Sequence, residues 1–428
     1  MTNHEVEVLA IGAGPSNLAL AVALEESGSA GLAAGTLILE QHPDVKWQRN
    51  LLLPFARSQV SFLKDLVTLR NPQSRFSFLT FLHQQGRLDE FVNLGTFNPY
   101  RRELSDYLQW VANQLDQVRV RYNAGVTSLA PRLADDGTVA GWRATLAGGD
   151  TVDARDLVVG TGRDAHVPEV FAGLPTDRVI HSSQYATRIA RHPVDRPTRV
   201  VVIGAAQSAA EMFVSVHNDL PLSTPTLVHR SIGLMNYQTS KFVNELFFPS
   251  FVDDFHETAP EARKQILDEL RLTNYAGLAA PFLDETYAML YRQKLDGTPR
   301  SAVRPMTEVL AARVEDGEVV LELRDRRTGK VEPLRCDLVL LGTGYDQRMP
   351  AMVRHLAGQL GLEEIEVNRR YRVELGAAAR GGLYLQGFNE ATHGISDSLL
   401  SVLASRSHEI TTDLLDRRSV AATIGGTH

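Results

Sequence analysis

Cysteine is the scarcest residue: Cys336 stands alone among 428, so no internal disulfide can form. No run of apolar residues approaches the roughly 20 needed to span a bilayer. The N-terminal Met1-Thr-Asn-His-Glu5 has no basic region followed by an apolar core, so no signal peptide is expected. A single thiol without a secretory leader points to a reducing, cytoplasmic setting. Net charge is −7, and like charges are nowhere blocked together, which removes the electrostatic case for nucleic acid or an anionic membrane as partner. No His/Cys spacing suggests a metal, and Cys336, at the start of an apolar strand, is expected to be structural. Short tandem repeats are absent. Hydrophobic residues at 43% and charged residues at 22% are those of a globular chain, and its length predicts two or three domains.

What is present is a repeated nucleotide-binding pattern. Residues 6–11 read as a buried strand and residues 16–27 as a helix, with Ala19, Ala21 and Ala23 allowing close packing; Thr36–Glu40 reads as the next strand. Between the first two lies Ile11-Gly-Ala-Gly-Pro-Ser-Asn17. Gly12 permits the tight turn. Gly14 lets the backbone approach a pyrophosphate seated on the helix N-terminus, beside Pro15 and Ser16. Asn17 takes the third fingerprint position, normally Gly or Ala. Glu40 ends the second strand, placed for a ribose hydroxyl. A weaker second unit follows the Pro-containing linker 191–197: strand 199–203, then Gly204-Ala-Ala-Gln-Ser208. Ala206 stands there in place of the second glycine, so this turn gains its meaning as the partner of the first. Arg230 follows strand 226–228, where a cation can meet a nucleotide 2′-phosphate. Asp-Leu-Val leading to Gly-Thr-Gly occurs at 156–162 and again at 337–344; each reads either as a turn that brings the chain back close to a cofactor or joins two domains, or as a plain strand-end turn. Residues 102–115 predict an amphipathic helix, 47–83 lack periodicity, and 231–300 look like a helical insertion.

Gln59-Val-Ser-Phe-Leu-Lys-Asp-Leu66 and Leu69-Arg-Asn-Pro-Gln-Ser-Arg-Phe-Ser-Phe78 carry a resemblance. So do Trp47, Arg101-Arg-Glu103, Gln207-Ser-Ala-Ala-Glu211, Phe242-Val-Asn-Glu245, Thr273-Asn-Tyr275, Gly342-Thr-Gly-Tyr345, Thr392-His-Gly-Ile-Ser396 and Leu399-Leu-Ser401. In order and spacing these resemble the flavin-dependent N-hydroxylating monooxygenases of L-ornithine and L-lysine. The resemblance implies an α/β fold class: two Rossmann-like dinucleotide-binding domains, for FAD and NADPH, with a small helical substrate region. The expected boundaries are 1–195 and 336–428 for FAD, 196–230 and 300–335 for NADPH, and 231–299 for the substrate region.

It also implies an activity. NADPH reduces FAD, O2 forms a C4a-hydroperoxyflavin, and the substrate amine is hydroxylated, a step toward siderophores or other secondary metabolites. Lys64 would pair with the substrate α-carboxylate, Asn244 would hydrogen-bond its α-amino or carboxylate group, and Ser401 would hold the amine end. Asn274 would contact the nicotinamide nucleotide or the substrate near the flavin. Gln59 would line the flavin and NADP⁺; Asn274, Gln59 and Ser401 form the implied catalytic set. Trp47 and Leu399 would border the cofactor, Gln207 and Ser208 would belong to the NADPH turn, and a homo-oligomer, dimer or tetramer, is implied. His393 reads as a packing residue. Gln48, Ser58, Lys241 and Ala276 depart from the family pattern near the expected substrate. Lys241 would suit an extra carboxylate. L-Ornithine is the expected substrate; lysine, a diamine or an acidic amino acid such as aspartate are alternatives. An uncoupled flavin NADPH oxidase and a non-catalytic flavin-binding partner are the rival functions.

Overall fold

The computed structural model describes residues 3–238, 240–275, 277–376 and 379–425; Ala276 lies outside them. Strand Asn3–Ile11 is central in a seven-stranded sheet. It runs parallel to Thr36–Leu39 on one side and to Thr151–Val159 on the other, and Arg119–Arg121 extends the sheet beyond Thr36–Leu39. Thr36–Leu39 is buried throughout, as expected of a parallel strand covered on both faces. Thr151–Val159 has a divided outer edge. Its first half pairs antiparallel with Val139–Leu146, which pairs in turn with Val126–Leu133; its second half takes Leu383–Leu385 in parallel. That late strand is how both parts of the chain come to build one domain.

Helix Pro15–Glu25 is buried from Pro15 to Leu24 apart from Ser16. It shares one core with Val8 and Ala10 of the central strand and with Leu403, Ile410 and Leu414 of helix Leu403–Gly425. Its alanines allow the close approach. The expected helix at 102–115 is Arg101–Gln114, its apolar stripe buried through Leu104, Tyr107, Leu108 and Val111. Residues 40–77 carry only one 3-10 turn, at Arg49–Leu51.

The second sheet has five parallel strands in the order Ala302–Arg304, Ser223–Val228, Thr198–Ile203, Leu338–Leu341 and Val179–His181. The last two fall outside the boundaries expected for the second domain. Val179–His181 precedes residue 196 and Leu338–Leu341 follows residue 335, yet both pair inside this sheet. Their apolar runs have no local feature that assigns them to one sheet or the other; hydrogen-bonding partners decide it. An antiparallel layer of Thr307–Glu315, Glu318–Asp325 and Val331–Cys336 packs its Val319 and Leu321 against Val201, Val228 and Val339. The described residues between 231 and 299 are mostly helical, with helices Lys241–Glu245, Pro249–Glu257, Pro260–Asn274 and Ala280–Leu295. Among the described residues no helix is long and apolar enough to cross a membrane.

Candidate active site

The two Gly-Thr-Gly segments turn out to be the seats of the two nucleotide turns. Gly160 N–H donates to the Ile11 carbonyl at 3.1 Å, and Gly342 N–H to the Ile203 carbonyl at 2.8 Å. In the first unit Gly12 has φ +90°, and a Cβ on it would meet the Gly160 carbonyl at 3.1 Å; in the second, Gly204 has φ +139°, and a Cβ would meet the Gly342 carbonyl at 2.4 Å. Each turn is therefore backed by its own copy of the echo. Asn17 fits its unusual position because Gly160 has no side chain: a Cβ there would lie 2.8 Å from the Asn17 amide. Asn17 is fully buried and ties the turn together, donating to the carbonyls of Ile11 and Gly12.

Gly14 behaves differently. Its φ is −74°, open to any residue, and the nearest protein atom to a Cβ would be 3.9 Å away. The protein itself does not require glycine here. The space it leaves sits at the uncapped N-terminus of Pro15–Glu25, where a helix dipole and free N–H groups favour phosphate. Glu40 accepts from the Ala13 N–H at 2.8 Å and the His42 N–H at 2.9 Å, leaving carboxylate lone pairs for a ribose hydroxyl. These residues fit FAD. Gly14→Val is accordingly expected to leave circular dichroism unchanged while weakening FAD binding on the order of 100-fold. Retention of yellow, flavin-loaded protein by that variant would refute the assignment.

In the second unit Ala206 is the N-cap of helix Gln207–Asp219 with φ −99°, and its side chain caps nothing. Gln207 donates to Glu211 at 2.9 Å and accepts from the Ala279 N–H at 3.2 Å, joining the turn to the helical insertion. Ser208 is half-buried beside it. Arg230 is exposed, its side chain has no partner among the described residues, and its carbonyl accepts from Arg326 at 2.9 Å. The Arg326 guanidinium thus lies against the Arg230 backbone just beyond strand Ser223–Val228, and leaves the Arg230 side chain free for an anion such as a 2′-phosphate. Replacing Arg230 by alanine should raise the KM for NADPH roughly 5- to 20-fold, a loss suited to an exposed charge-assisted contact, and leave that for NADH unchanged. Equal effects on both nucleotides would remove Arg230 from the phosphate site.

Lys64 comes from the long irregular segment, which Asp65 holds in place. The buried Asp65 carboxylate accepts from the N–H groups of Val67, Thr68 and Phe78 and from the Thr68 hydroxyl. Burial raises its pKa, and those donors pull the other way. Lys64 itself is half-buried. Its Nζ donates to Ser401 Oγ at 3.1 Å and lies 4.8 Å from the Phe248 ring centroid. Burial pushes the Lys64 amine below the ordinary lysine value, and among the described residues no carboxylate pairs with it. A half-buried ammonium facing a hydroxyl and an aromatic ring suits an anion.

The remaining expected residues are gathered around this point to different degrees. Asn244 is exposed on the short helix Lys241–Glu245, which leads directly to Phe248. Lys241, at the start of that helix, is solvent-exposed and in no ion pair among the described residues. Asn274 ends helix Pro260–Asn274 half-buried, and the next residue, Tyr275, hydrogen-bonds Glu390 and Ser398. Leu399 packs with Phe247, Leu270 and Ile395. Gln59 is exposed and hydrogen-bonds Tyr237, whose hydroxyl burial pushes up to about 12. Trp47 packs against the first core. Ser401 Oγ accepts a hydrogen bond from Lys64 Nζ, so two side chains expected at opposite ends of a bound amino acid lie side by side. His393 stacks on Tyr371 at 4.1 Å, and burial lowers its pKa to about 4, so it packs as a neutral ring. Burial pushes the Cys336 thiol up to about 12, an inert structural cysteine. The organising residues Asp65, Arg101, Glu211 and Arg406 escaped the sequence reading; Arg101, Glu211 and Asp65 stood inside matched motifs, and no local signal marked Arg406.

The geometry has counterparts of known activity. Residues 4–347 match the family described as L-lysine 6-monooxygenase/L-ornithine 5-monooxygenase. The L-ornithine N(5)-monooxygenase of Burkholderia cepacia is 41% identical over 91% of this chain and 89% of its own. The ornithine hydroxylase of Pseudomonas aeruginosa is 38% identical, superposes with a TM-score of 0.89, and covers 96% of this chain and 99% of its own. The Kutzneria sp. 744 ornithine N-hydroxylase, solved with reduced FAD, NADP⁺ and L-ornithine, gives 33% identity, a TM-score of 0.87, and coverage of 97% and 100%. A match spanning both nucleotide turns and the Lys64 segment leaves one assignment: the chain is a flavin-dependent N-hydroxylating enzyme using FAD and NADPH, a member of the L-lysine 6-monooxygenase/L-ornithine 5-monooxygenase family.

Proposed function

We propose that the chain hydroxylates the side-chain amine of L-ornithine, supplying a hydroxylamine for hydroxamate siderophores or related metabolites. The observation that carries the site assignment is the Lys64 ammonium, desolvated and without a carboxylate partner among the described residues. The net reaction consumes the amine, O2, NADPH and a proton, and yields the hydroxylamine, NADP⁺ and water. When bound, FAD supplies two-electron transfer and oxygen activation; the protein binds, orients and excludes water. Lys64 Nζ and Ser401 Oγ hold the substrate α-carboxylate, with Asn244 reaching the same end from the Lys241–Glu245 helix. Only a neutral amine is nucleophilic, and a free alkyl amine has a pKa near 10.4. Asn274, half-buried at its helix end, accepts an N–H of the amine and orients its lone pair, while removal of the amine from water favours the uncharged form. The apolar cluster of Phe247, Leu399 and Ile395 keeps water from the reacting nitrogen. Gln59 and Trp47 border the flavin, and Gln207, Ser208 and Arg230 hold NADPH.

Ornithine and lysine differ by one methylene, which a pocket discriminates by about 1–3 kcal/mol. An amine panel scored for hydroxylamine and NADPH consumption should therefore favour ornithine over lysine by about 10- to 200-fold in kcat/KM. Product from aspartate or a diamine with none from ornithine would overturn the substrate. Stoichiometric peroxide without hydroxylamine would favour the oxidase, and failure to take up FAD a non-flavin protein. Tyr287, Tyr291 and Leu295 leave an exposed apolar row on helix Ala280–Leu295, and this supports a homo-oligomer.

A further inference from the structure

A buried polar cluster behind the first nucleotide turn has no part in the reaction above. Arg406, near the start of helix Leu403–Gly425, is 1% exposed and Asp397 is fully buried. Arg406 Nη2 donates to Ser16 Oγ at 2.8 Å, and Nε donates to Gln386 Oε1 at 3.2 Å. Nη1 donates to Asp397 Oδ1 at 2.9 Å and also to the Asp397 carbonyl. Asp397 Oδ2 accepts from the Asn389 N–H at 2.7 Å. Gln386 passes the connection on to Asn17 at 2.8 Å, which holds the Ile11 and Gly12 carbonyls. One guanidinium therefore grips both flanks of the Gly12–Gly14 turn and the segment Ile395–Ser398, three residues before Ser401.

Packing alone accounts poorly for this arrangement. A fully buried ion pair carries a desolvation cost that apolar residues of the same size would avoid. Arg406 also uses four of the five N–H groups of its guanidinium. The fifth belongs to the nitrogen that reaches Ser16, on the first turn of the helix whose N-terminus suits phosphate. A diphosphate placed there adds negative charge beside a cation whose other face is neutralised by Asp397.

We propose that Arg406 is a positioning residue that links the FAD diphosphate to the amino-acid site, so that the turn holding the flavin and the segment presenting Ser401 are set by one group. The inference rests on the flavin monooxygenase reading above. Flavin in place orders Arg406; Arg406 orders Asp397; Asp397 fixes the approach of Ser401 to Lys64.

The test uses flavin-stripped protein titrated with FAD and read by quenching of flavin fluorescence, with no amine present. Arg406→Lys keeps the charge and loses the planar fork, and is expected to weaken FAD binding about tenfold or more, the equivalent of charge-assisted hydrogen bonds lost. Ser16→Ala removes a single contact at a half-buried position in the first turn of its helix, which alanine tolerates. It should weaken FAD by a smaller factor with unchanged circular dichroism, and it stands as the test if the lysine variant does not fold. On FAD-saturated Arg406→Lys the amine KM should rise about fivefold or more, while the NADPH KM, set by the other domain, stays the same. FAD affinity equal to the parent in the folded variants overturns the proposal. So does an unchanged amine KM, or amine and NADPH KM rising together, which would mark general loosening. The amine is whichever one the parent enzyme hydroxylates, so a wrong substrate assignment leaves this result readable.

Discussion

Lys64→Met is expected to raise the amino-acid KM about 10- to 150-fold, the equivalent of the 1.5–3 kcal/mol carried by a hydrogen bond to a charged group. Methionine preserves an unbranched apolar stem beside Phe248, so the change isolates the charge. The KM for NADPH should stay put, because Lys64 touches neither Gly204 nor Arg230. With the carboxylate no longer anchored, NADPH oxidation should continue but yield peroxide in place of hydroxylamine. A parental amino-acid KM in the methionine variant would remove Lys64 from the site. The same residue sets a pH dependence. Burial lowers the Lys64 pKa below its ordinary value, so as pH rises through that lowered value the ammonium is lost and carboxylate binding weakens. The substrate amine moves the other way, since its nucleophilic form grows with pH. The profile of kcat/KM should therefore rise and then fall, and in Lys64→Met the falling limb should disappear.

Arg101→Ala should cost about 3–5 kcal/mol of stability, the usual price of leaving one member of a buried ion pair uncompensated. Arg101 opens helix Arg101–Gln114, whose other residues pack in the first domain, whereas Glu211 lies in helix Gln207–Asp219 of the second. Their side chains are 6% and 1% exposed. Two parallel hydrogen bonds of 2.8 Å join them, and Arg101 also donates to the Leu51 carbonyl at 2.7 Å. Urea unfolding followed by fluorescence measures the loss. Arg101→Met combined with Glu211→Leu removes both charges and should recover most of the stability. A single variant as stable as the parent would show that the pair does not hold the domains together. Because Gln207 bonds the same carboxylate, the alanine variant should also raise the NADPH KM.

Local sequence carried a good deal of this. The strand, the Gly12–Gly14 turn, the helix and Glu40 form a continuous stretch whose backbone demands are short-range, and they appear where periodicity and glycine placement put them. Lys64 stood out through the resemblance of its motif, and the large apolar neighbours Phe62, Leu63 and Leu66 argued against a merely solvated lysine. The boundary between domains was not legible: Val179–His181 and Leu338–Leu341 are apolar strands like those of the first sheet, and only their hydrogen-bonding partners assign them to the second. Nor was the contact of Ser401 with Lys64, 337 residues away in the chain, which only the fold brings about.

By itself, then, the sequence determined the first nucleotide turn and the order of the secondary structure that carries it, because these follow from backbone geometry within a few neighbours; the second turn and the residues of a flavin N-hydroxylating site were legible only through the resemblance of the motifs. Tertiary structure alone decided that Gly160 and Gly342 are the floors of those turns, that Asn17 replaces a small residue by filling the space Gly160 leaves, and that Lys64, Ser401, Arg101, Glu211, Arg406 and Asp397 meet in pairs. Those contacts join segments 110 or more residues apart, or, for Arg406 and Asp397, reach across a helix start in a direction that only packing sets. A linear pattern records which side chains are present; the direction in which a buried one is satisfied depends on what the fold brings against it.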